Sequence, residues 1–575
     1  MSRESKILFY LEFSCFLCLV YHQCSGCGEE YYCSRKCQKR DWKEEDHKIQ
    51  CGEFKKLVTL VTNVRWKKLL PHFKIMKRTA EMPCYHGRTF AVDYLALKGN
   101  EWKTLYKSDD PCLARDYNIL SVGCGDIRSL VYTITSLPNQ FSGKLHVTMC
   151  DFDPFVMARN VLFLYMMVRC VDRSKVGQSL ATLWYSLQIS KDDYEFVMEA
   201  LHALITGTAA DQSLSQVTDG FISMPRDHID ALRQVWQGWV ALECDCKKPG
   251  NISLHKERRK VIDRLHPQPI RDDIPEEQLP SYKKWKYDGI FTETPMELEQ
   301  LPFYNPTLTG SQGHDPSNGS DPGPESFDLQ YIVQPKDLRF KYCVMGRSEP
   351  FIVWDYEVVR EHGYDDSLTT MYHAYVSQVI RKVMTFVNTQ KRVAVTMTTV
   401  EFHNLKPEPV YDRVFTSTLA DVKGVYPLLE FFGPFLRRDN EHAVLLVSTF
   451  SMENDAAGYL YGQDELTFRD RKIFMMAGEE LWNLDNPWPL RFEPHPLDYH
   501  YDQKWFMRYL KTMYMGIYGN DKVPTGQQVL QCGDLKMRDV RVELNKVVPY
   551  RYTWAVREGA PPVKGYRYME WYYPS

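Results

Sequence analysis

The chain has 575 residues, of which 44% are hydrophobic and 25% charged, and a formal net charge of -3 at pH 7. Domains commonly run to about 100–200 residues, so this length points to several structural units. A near-neutral balance excludes a global pull toward nucleic acid or anionic lipid, and neither is expected as a partner.

Cysteine is the informative residue: seven of the 16 fall between Cys15 and Cys51. A secreted disulfide scaffold is short and bridged throughout. One dense cluster in a large aromatic-rich chain points instead to metal binding in a reducing compartment, hence to an intracellular, cytoplasmic protein. Ile7 to Tyr21 has the apolarity of a signal-peptide core, but Glu12 interrupts it. Cleavage after it would also remove Cys15 and Cys18. The stretch is too short to span a bilayer, and no later apolar run approaches the ~20 residues a transmembrane helix needs.

The cluster is spaced as Cys15-x2-Cys18, Cys24-x2-Cys27, Cys33-x3-Cys37 and His47-x3-Cys51. Eight ligands in four pairs suit two tetrahedral zinc ions, each closed by four soft or borderline donors and so structural in type. A two-residue gap lets both thiolates turn onto one ion, and a three-residue gap puts both ligands on one face of a helical turn. So short a segment cannot bury enough apolar surface to fold alone, so metal must supply the folding energy.

Phe54 to Met76 follows, basic and helix-like, with Leu57, Val61, Val64 and Leu69 on one face. Asp116 to Val122 reads as a buried strand, ended by Gly123-Cys124-Gly125. Arg128 to Leu137 reads as a helix, Lys144 to Asp151 as a second strand, and Pro154 to Val168 as an apolar helix with proline in its first turn. This succession predicts a parallel sheet covered by helices. Ser174 to Leu242 has a helical pattern, and the charged helix Leu254 to Leu265 reads as a solvated face. Thr309 to Phe327, rich in Gly, Ser, Pro and Asp, reads as a flexible insertion. Strands are expected again at Arg392 to Phe402, Tyr411 to Thr416 and Ala443 to Ser448, with a helix near Tyr426 to Leu436.

The glycine turn follows a strand and precedes a helix, the context of a nucleotide or S-adenosylmethionine pocket. Asp151 ends the next strand, where a carboxylate can accept hydrogen bonds from a ribose. A third glycine is missing, since Ile127, Arg128 and Ser129 occupy that region. A tight strand–helix turn without a ligand therefore stands beside the cofactor reading of Gly123, Gly125 and Asp151. Arg128, Arg159 and Asn160 are explained by capping or a buried ion pair, and Cys244-x-Cys246 by chance.

Tyr31 to Gln38 (YYCSRKCQ), Asp41-Trp42-Lys43, His47-Lys48 and Cys51 resemble the MYND finger. The resemblance implies interleaved zinc sites: Cys15, Cys18, Cys33 and Cys37 on one ion, Cys24, Cys27, His47 and Cys51 on the other. It also implies docking of a protein partner through a short, often proline-containing peptide. Trp42 and Tyr32 either face that peptide or pack the small core. Leu120 to Arg128, Asp151 to Asn160 and Asp412 to Asp421 resemble an uncharacterised domain often joined to MYND fingers. That domain also occurs at the N-terminus of axonemal dynein assembly factor three, and its fold is related to class I methyltransferases.

The expected organisation is α/β. A MYND-type finger at 15–51 precedes a split Rossmann-like, class I methyltransferase-like domain with halves at 85–200 and 331–450. A helical insertion and linker fill 201–330, and 451–575 is left unassigned. The expected function is zinc-dependent protein–protein interaction or scaffolding. An S-adenosylmethionine-dependent methyltransferase is the alternative, and an assembly factor for axonemal dyneins the third reading.

Overall fold

In the computed structural model the described residues are 22–24, 31–32, 34–44, 47–49 and 51–52, most of 91–449, and parts of 510–574. Within 91–449 the larger gaps are 260–275, 311–329 and 333–340. The readings placed at 7–21 and 54–76 lie outside the described residues, as does 450–509.

The fold is mixed α/β around one nine-stranded sheet rich in parallel strands. A small hairpin, β1 (His22–Gln23) and β2 (Tyr31–Tyr32), with helix α1 (Arg35–Glu44), precedes it. The sheet begins with β3 (Tyr117–Val122), helix α2 (Arg128–Ser136) and β4 (Leu145–Asp151), followed by helix α3 (Pro154–Arg169). Three further helices, α4 (Val176–Tyr185), α5 (Lys191–Ala209) and α6 (Arg226–Ala241), surround the short strand β5 (Ile222–Ser223). Then come α7 (Leu279–Asp288), the long α8 (Leu368–Gln390), β6 (Val393–Thr399), β7 (Arg413–Phe415), α9 (Val425–Phe432) and β8 (Val444–Thr449). The last strands are β9 (Gln531–Cys532), β10 (Leu535–Met537) and β11 (Arg567–Tyr572).

Their order across the sheet is β9-β10-β11-β8-β7-β3-β4-β6-β5. Strands from β5 to β8 are all parallel to their neighbours, whereas β11 is antiparallel to both β8 and β10. The chain moves outward from β3 through β4 and β6, then returns to lay β7 and β8 on the other side of β3. The reversal lies between β3 and β7, the place where open α/β sheets leave a crevice outside the carboxyl ends of their strands.

Side-chain alternation explains how the sheet is covered on both faces. Tyr117, Ile119, Val444 and Leu446 enter the larger core with α2, α3, α4 and α8. Leu120, Val122, Leu445 and Val447 enter a second core with Tyr426, Leu429 and Phe432 of α9 and Trp571 of β11. Helix α3 is buried from Phe155 through Val168, which requires the all-round apolar sequence it has. Its N-cap is Asp153, which accepts from Phe155 N at 2.8 Å and Val156 N at 3.4 Å.

Segments outside the two expected halves also build the sheet. Ile222–Ser223 within 201–330 pairs with β6, and three strands within 451–575 close the opposite side. The charged helix at 254–265 does not present only a solvated face. Leu254 and Arg258 are buried, and the Arg258 guanidinium sits over Trp285 while donating to the Lys286 carbonyl at 2.8 Å. Thr309 and Gly310 form a short strand paired with Lys341 and Tyr342, so these two residues are not part of a flexible insertion, and 311–327 lies outside the described residues. Thr309 is held because its buried hydroxyl accepts from Trp239 Nε1 at 2.7 Å. No helix among the described residues is long and apolar enough to cross a membrane.

Candidate functional site

The metal-ligating group is assembled from three separated points of the N-terminal segment. Cys24 follows β1, His47 opens a helical turn after α1, and Cys51 lies one turn further on. All three are buried, and their ligand atoms lie within 4.8 Å of one another. His47 Nε2 is 3.2 Å from Cys24 Sγ. Nδ1, on the other side of the ring, lies 3.9 Å from Asp41 Oδ2 on α1. A zinc-binding imidazole has one nitrogen on the metal and the other toward a polar partner, and this ring has that polarity, although Asp41 stands beyond hydrogen-bond distance. Tetrahedral zinc sets its N and S donors roughly 3.5–4 Å apart, so this group needs only small side-chain adjustments to close on an ion. The indole of Trp42 meets the His47 ring edge-on, with centroids 5.5 Å apart, and keeps 37% of its surface exposed. It both packs against the imidazole and faces outward. Cys37 lies on α1, and Cys15, Cys18, Cys27 and Cys33 are outside the described residues.

Residues 15–51 match the MYND finger. The finger implies zinc binding, and the Cys24–His47–Cys51 group is a donor set that fits it. MYND fingers are in general protein-interaction modules. Residues 85–189 match a domain of unknown function, DUF4470. No curated protein and no solved structure matches the chain.

Within that second region, the glycine turn lies at the carboxyl end of β3. Gly123 and Gly125 have φ of 61° and 57°, a backbone that L side chains rarely adopt. The turn is tied on several sides. Asp151 Oδ2 accepts from Gly125 N at 3.1 Å, and Oδ1 accepts from Asp153 N at 3.1 Å. Asn160 Nδ2 donates to the Gly125 carbonyl at 2.6 Å. Asp126 bridges to Arg128 at 3.3 Å and accepts from Trp184 Nε1 at 3.1 Å. Arg159 is buried and donates to the carbonyls of Leu183 and Trp184 at 3.0 and 2.6 Å. The loop after β7 crowds the turn from the far side: a Cβ on Gly123 would lie 3.6 Å from Ser417 Cβ and 3.8 Å from Leu419 Cγ.

Burial dominates the electrostatics here. It raises the carboxyl of Asp151 even though the amides of Asp153 and Gly125 pull it down. It raises Asp126 against the opposing charge of Arg128. Burial, reinforced by the negative charge of Asp151, pushes Asp153 up to about 7. Arg128 makes the expected buried ion pair with Asp126, whereas Arg159 and Asn160 hold backbone carbonyls distant in sequence rather than capping their own helix. Cys244 and Cys246 are separate core thiols, pushed up by burial to about 12 and about 11. Cys244 contacts Tyr342 Oη at 3.3 Å, and Cys246 accepts from Gln188 Nε2 at 3.1 Å.

Sequence reasoning missed Asp41 as a partner of His47, and Ser417 and Leu419 as the wall facing Gly123. Asp41 was visible beside Trp42 in the finger motif. The contact of Ser417 with Gly123 spans nearly three hundred residues and leaves no local signal.

Proposed function

We propose that the chain is a zinc-dependent docking or scaffold protein whose N-terminal finger grips a partner peptide. The observation that carries this is the convergence of Cys24, His47 and Cys51 on one point within a segment matching the MYND finger. In the full reading, two zinc ions are held. Cys24, Cys27, His47 and Cys51 take one, and Cys15, Cys18, Cys33 and Cys37 the other, in a cytoplasmic protein that recognises a proline-containing segment. Elemental analysis tests the metal set: two zinc ions per chain support it, and none ends it. A peptide array probed with the zinc-loaded chain tests the docking role. The resemblance to a dynein assembly factor makes co-purification with dynein or chaperone components a further test of partner class.

A second reading is favoured by the sheet. The parallel strands β6-β4-β3-β7-β8, flanked by an antiparallel β11, follow the order of class I methyltransferases, and the glycine turn borders the reversal. In that reading Gly123 and Gly125 approach S-adenosylmethionine, and Asp151 holds its ribose. Methyl transfer needs mainly positioning of donor and acceptor, so a missing acid or base is no objection. Against it, both Asp151 oxygens already accept backbone amides, and Ser417 and Leu419 lie against the turn. Calorimetric titration decides: absence of binding at millimolar S-adenosylmethionine removes the enzyme reading.

A further inference from the structure

Helix α1 divides cleanly by exposure. Its exposed described residues are Arg35, Lys36, Lys39, Trp42 and Lys43. At about 100° per residue these five fall within an arc of roughly 120° and along a rise of ~12 Å. Among the described side chains no acidic residue interrupts this stripe: Asp41 lies on the opposite side of the helix, turned to His47. Four cations therefore stand side by side on a chain whose overall charge is -3, with an indole at their border that is 37% exposed. Beyond the helix, Lys48 is exposed and Ile49 keeps 59% of its surface in solvent.

We propose that this stripe is the partner-reading face of the finger and that its occupant is a short acidic peptide carrying one aliphatic or aromatic side chain. The proposal rests on reading the finger as a docking module and names the chemistry of what it docks. The repulsion among Arg35, Lys36, Lys39 and Lys43 is relieved by carboxylates, and the complementarity steers encounter. The ~12 Å stripe matches about four residues of extended chain at ~3.3 Å each. Exposed indole is a common interface anchor, and an apolar side chain seated against Trp42 supplies burial that charge pairs at a surface do not. A phosphodiester backbone offers the negative charge without that side chain, which is why a peptide is preferred to nucleic acid.

The test pans a random dodecapeptide display library against the zinc-loaded full chain, with the same protein stripped by chelator as control. Enriched peptides are expected to carry several Asp or Glu residues beside a Leu, Ile, Phe or Trp. The double variant Lys39→Gln/Lys43→Gln, exposed and away from the metal group, is expected to keep its zinc and to bind them roughly tenfold more weakly. Wild-type binding is expected to weaken as salt rises. Zinc-dependent enrichment of neutral or basic peptides, indifferent to that variant, overturns the acidic assignment while docking stands. No zinc-dependent enrichment at all overturns the docking reading itself. Preference for a short duplex DNA over every acidic peptide, lost in the same variant, assigns the stripe to nucleic acid and overturns the proposal.

Discussion

Glu101→Gln probes the tie between the segment at 91–102 and the strand beside the glycine crevice. The side chains of Arg413 and Glu101 are 0% and 3% exposed. The guanidinium donates to both Glu101 oxygens at 2.7 Å and to the carbonyls of Leu95, Asp412 and His442 at 3.1, 3.0 and 2.7 Å. Burial works against the charge on Arg413, but the charge and hydrogen bonds of Glu101 together with the charge of Asp412 outweigh it and hold the guanidinium above its ordinary value. Glutamine keeps the shape and one acceptor but removes the nearest countercharge, leaving the buried cation with its carbonyls and the more distant influence of Asp412. Breaking a buried pair from one side costs about 3–5 kcal/mol. The surviving acceptor and carbonyls place this case at the lower end, ~3 kcal/mol. In a domain of this size that lowers Tm by roughly 3–4 °C, read by scanning fluorimetry. Lys98→Gln, an exposed change in the same segment, is expected to leave Tm unaltered. A Glu101→Gln protein that melts with the wild type would refute the claim that the pair is desolvated and structural.

Four other variants carry expected outcomes. Gly143→Ala would put a Cβ 1.9 Å from the Arg115 carbonyl oxygen, so it is expected to abolish recovery of folded protein. Gly220→Ala, with φ of 85° but nothing within 4 Å, costs only about 1–2 kcal/mol, and equal melting of the two variants would contradict this. Asp153, held at about 7 against an ordinary 3.8, binds its proton more tightly folded than unfolded. Its ionisation therefore erodes stability as pH rises from about 4 to about 7. Asp153→Asn keeps a capping oxygen and is expected to gain stability relative to wild type across that window, by at most ~4 kcal/mol; a pH-independent difference rejects the assignment. Finally, His47→Ala is expected to lose one zinc per chain by elemental analysis, and unchanged metal content would remove His47 from the ligand set.

Much of the parallel sheet could be read from local pattern. Asp116 to Val122 and Lys144 to Asp151 each bracket an observed strand, and Ala443 to Ser448 covers all but the last residue of a third, because strands buried on both faces are continuous apolar runs. Helix α3 was legible from its proline start and all-round apolarity. Helix α8 was not singled out, although it is the longest described helix, because Thr, Ser, Asn and His interrupt its face. His373, for instance, is buried against Thr182 at 2.9 Å, which no local pattern reports. The two-residue strand β5 is too short to carry periodicity. The C-terminal strands escaped notice because Tyr568, Glu570 and Tyr572 alternate with Met569 and Trp571, so their polarity hides how deeply the strand is placed. For the site, spacing alone named Cys24, His47 and Cys51. It offered no means of seeing how Asp151 turns inward to hold the glycine loop.

Strand β11 has a consequence for synthesis. Glu570 within it is fully buried, bridged to Arg538 at 2.9 Å and accepting the amides of Val547 and Val548. Until residues 567–572 leave the ribosome, β8 is an uncovered hydrophobic edge, and the sheet built by more than four hundred preceding residues waits on a six-residue ribbon. A stalled nascent chain or a premature stop just upstream would leave a sticky intermediate in need of chaperones, even with both glycines and every finger ligand intact.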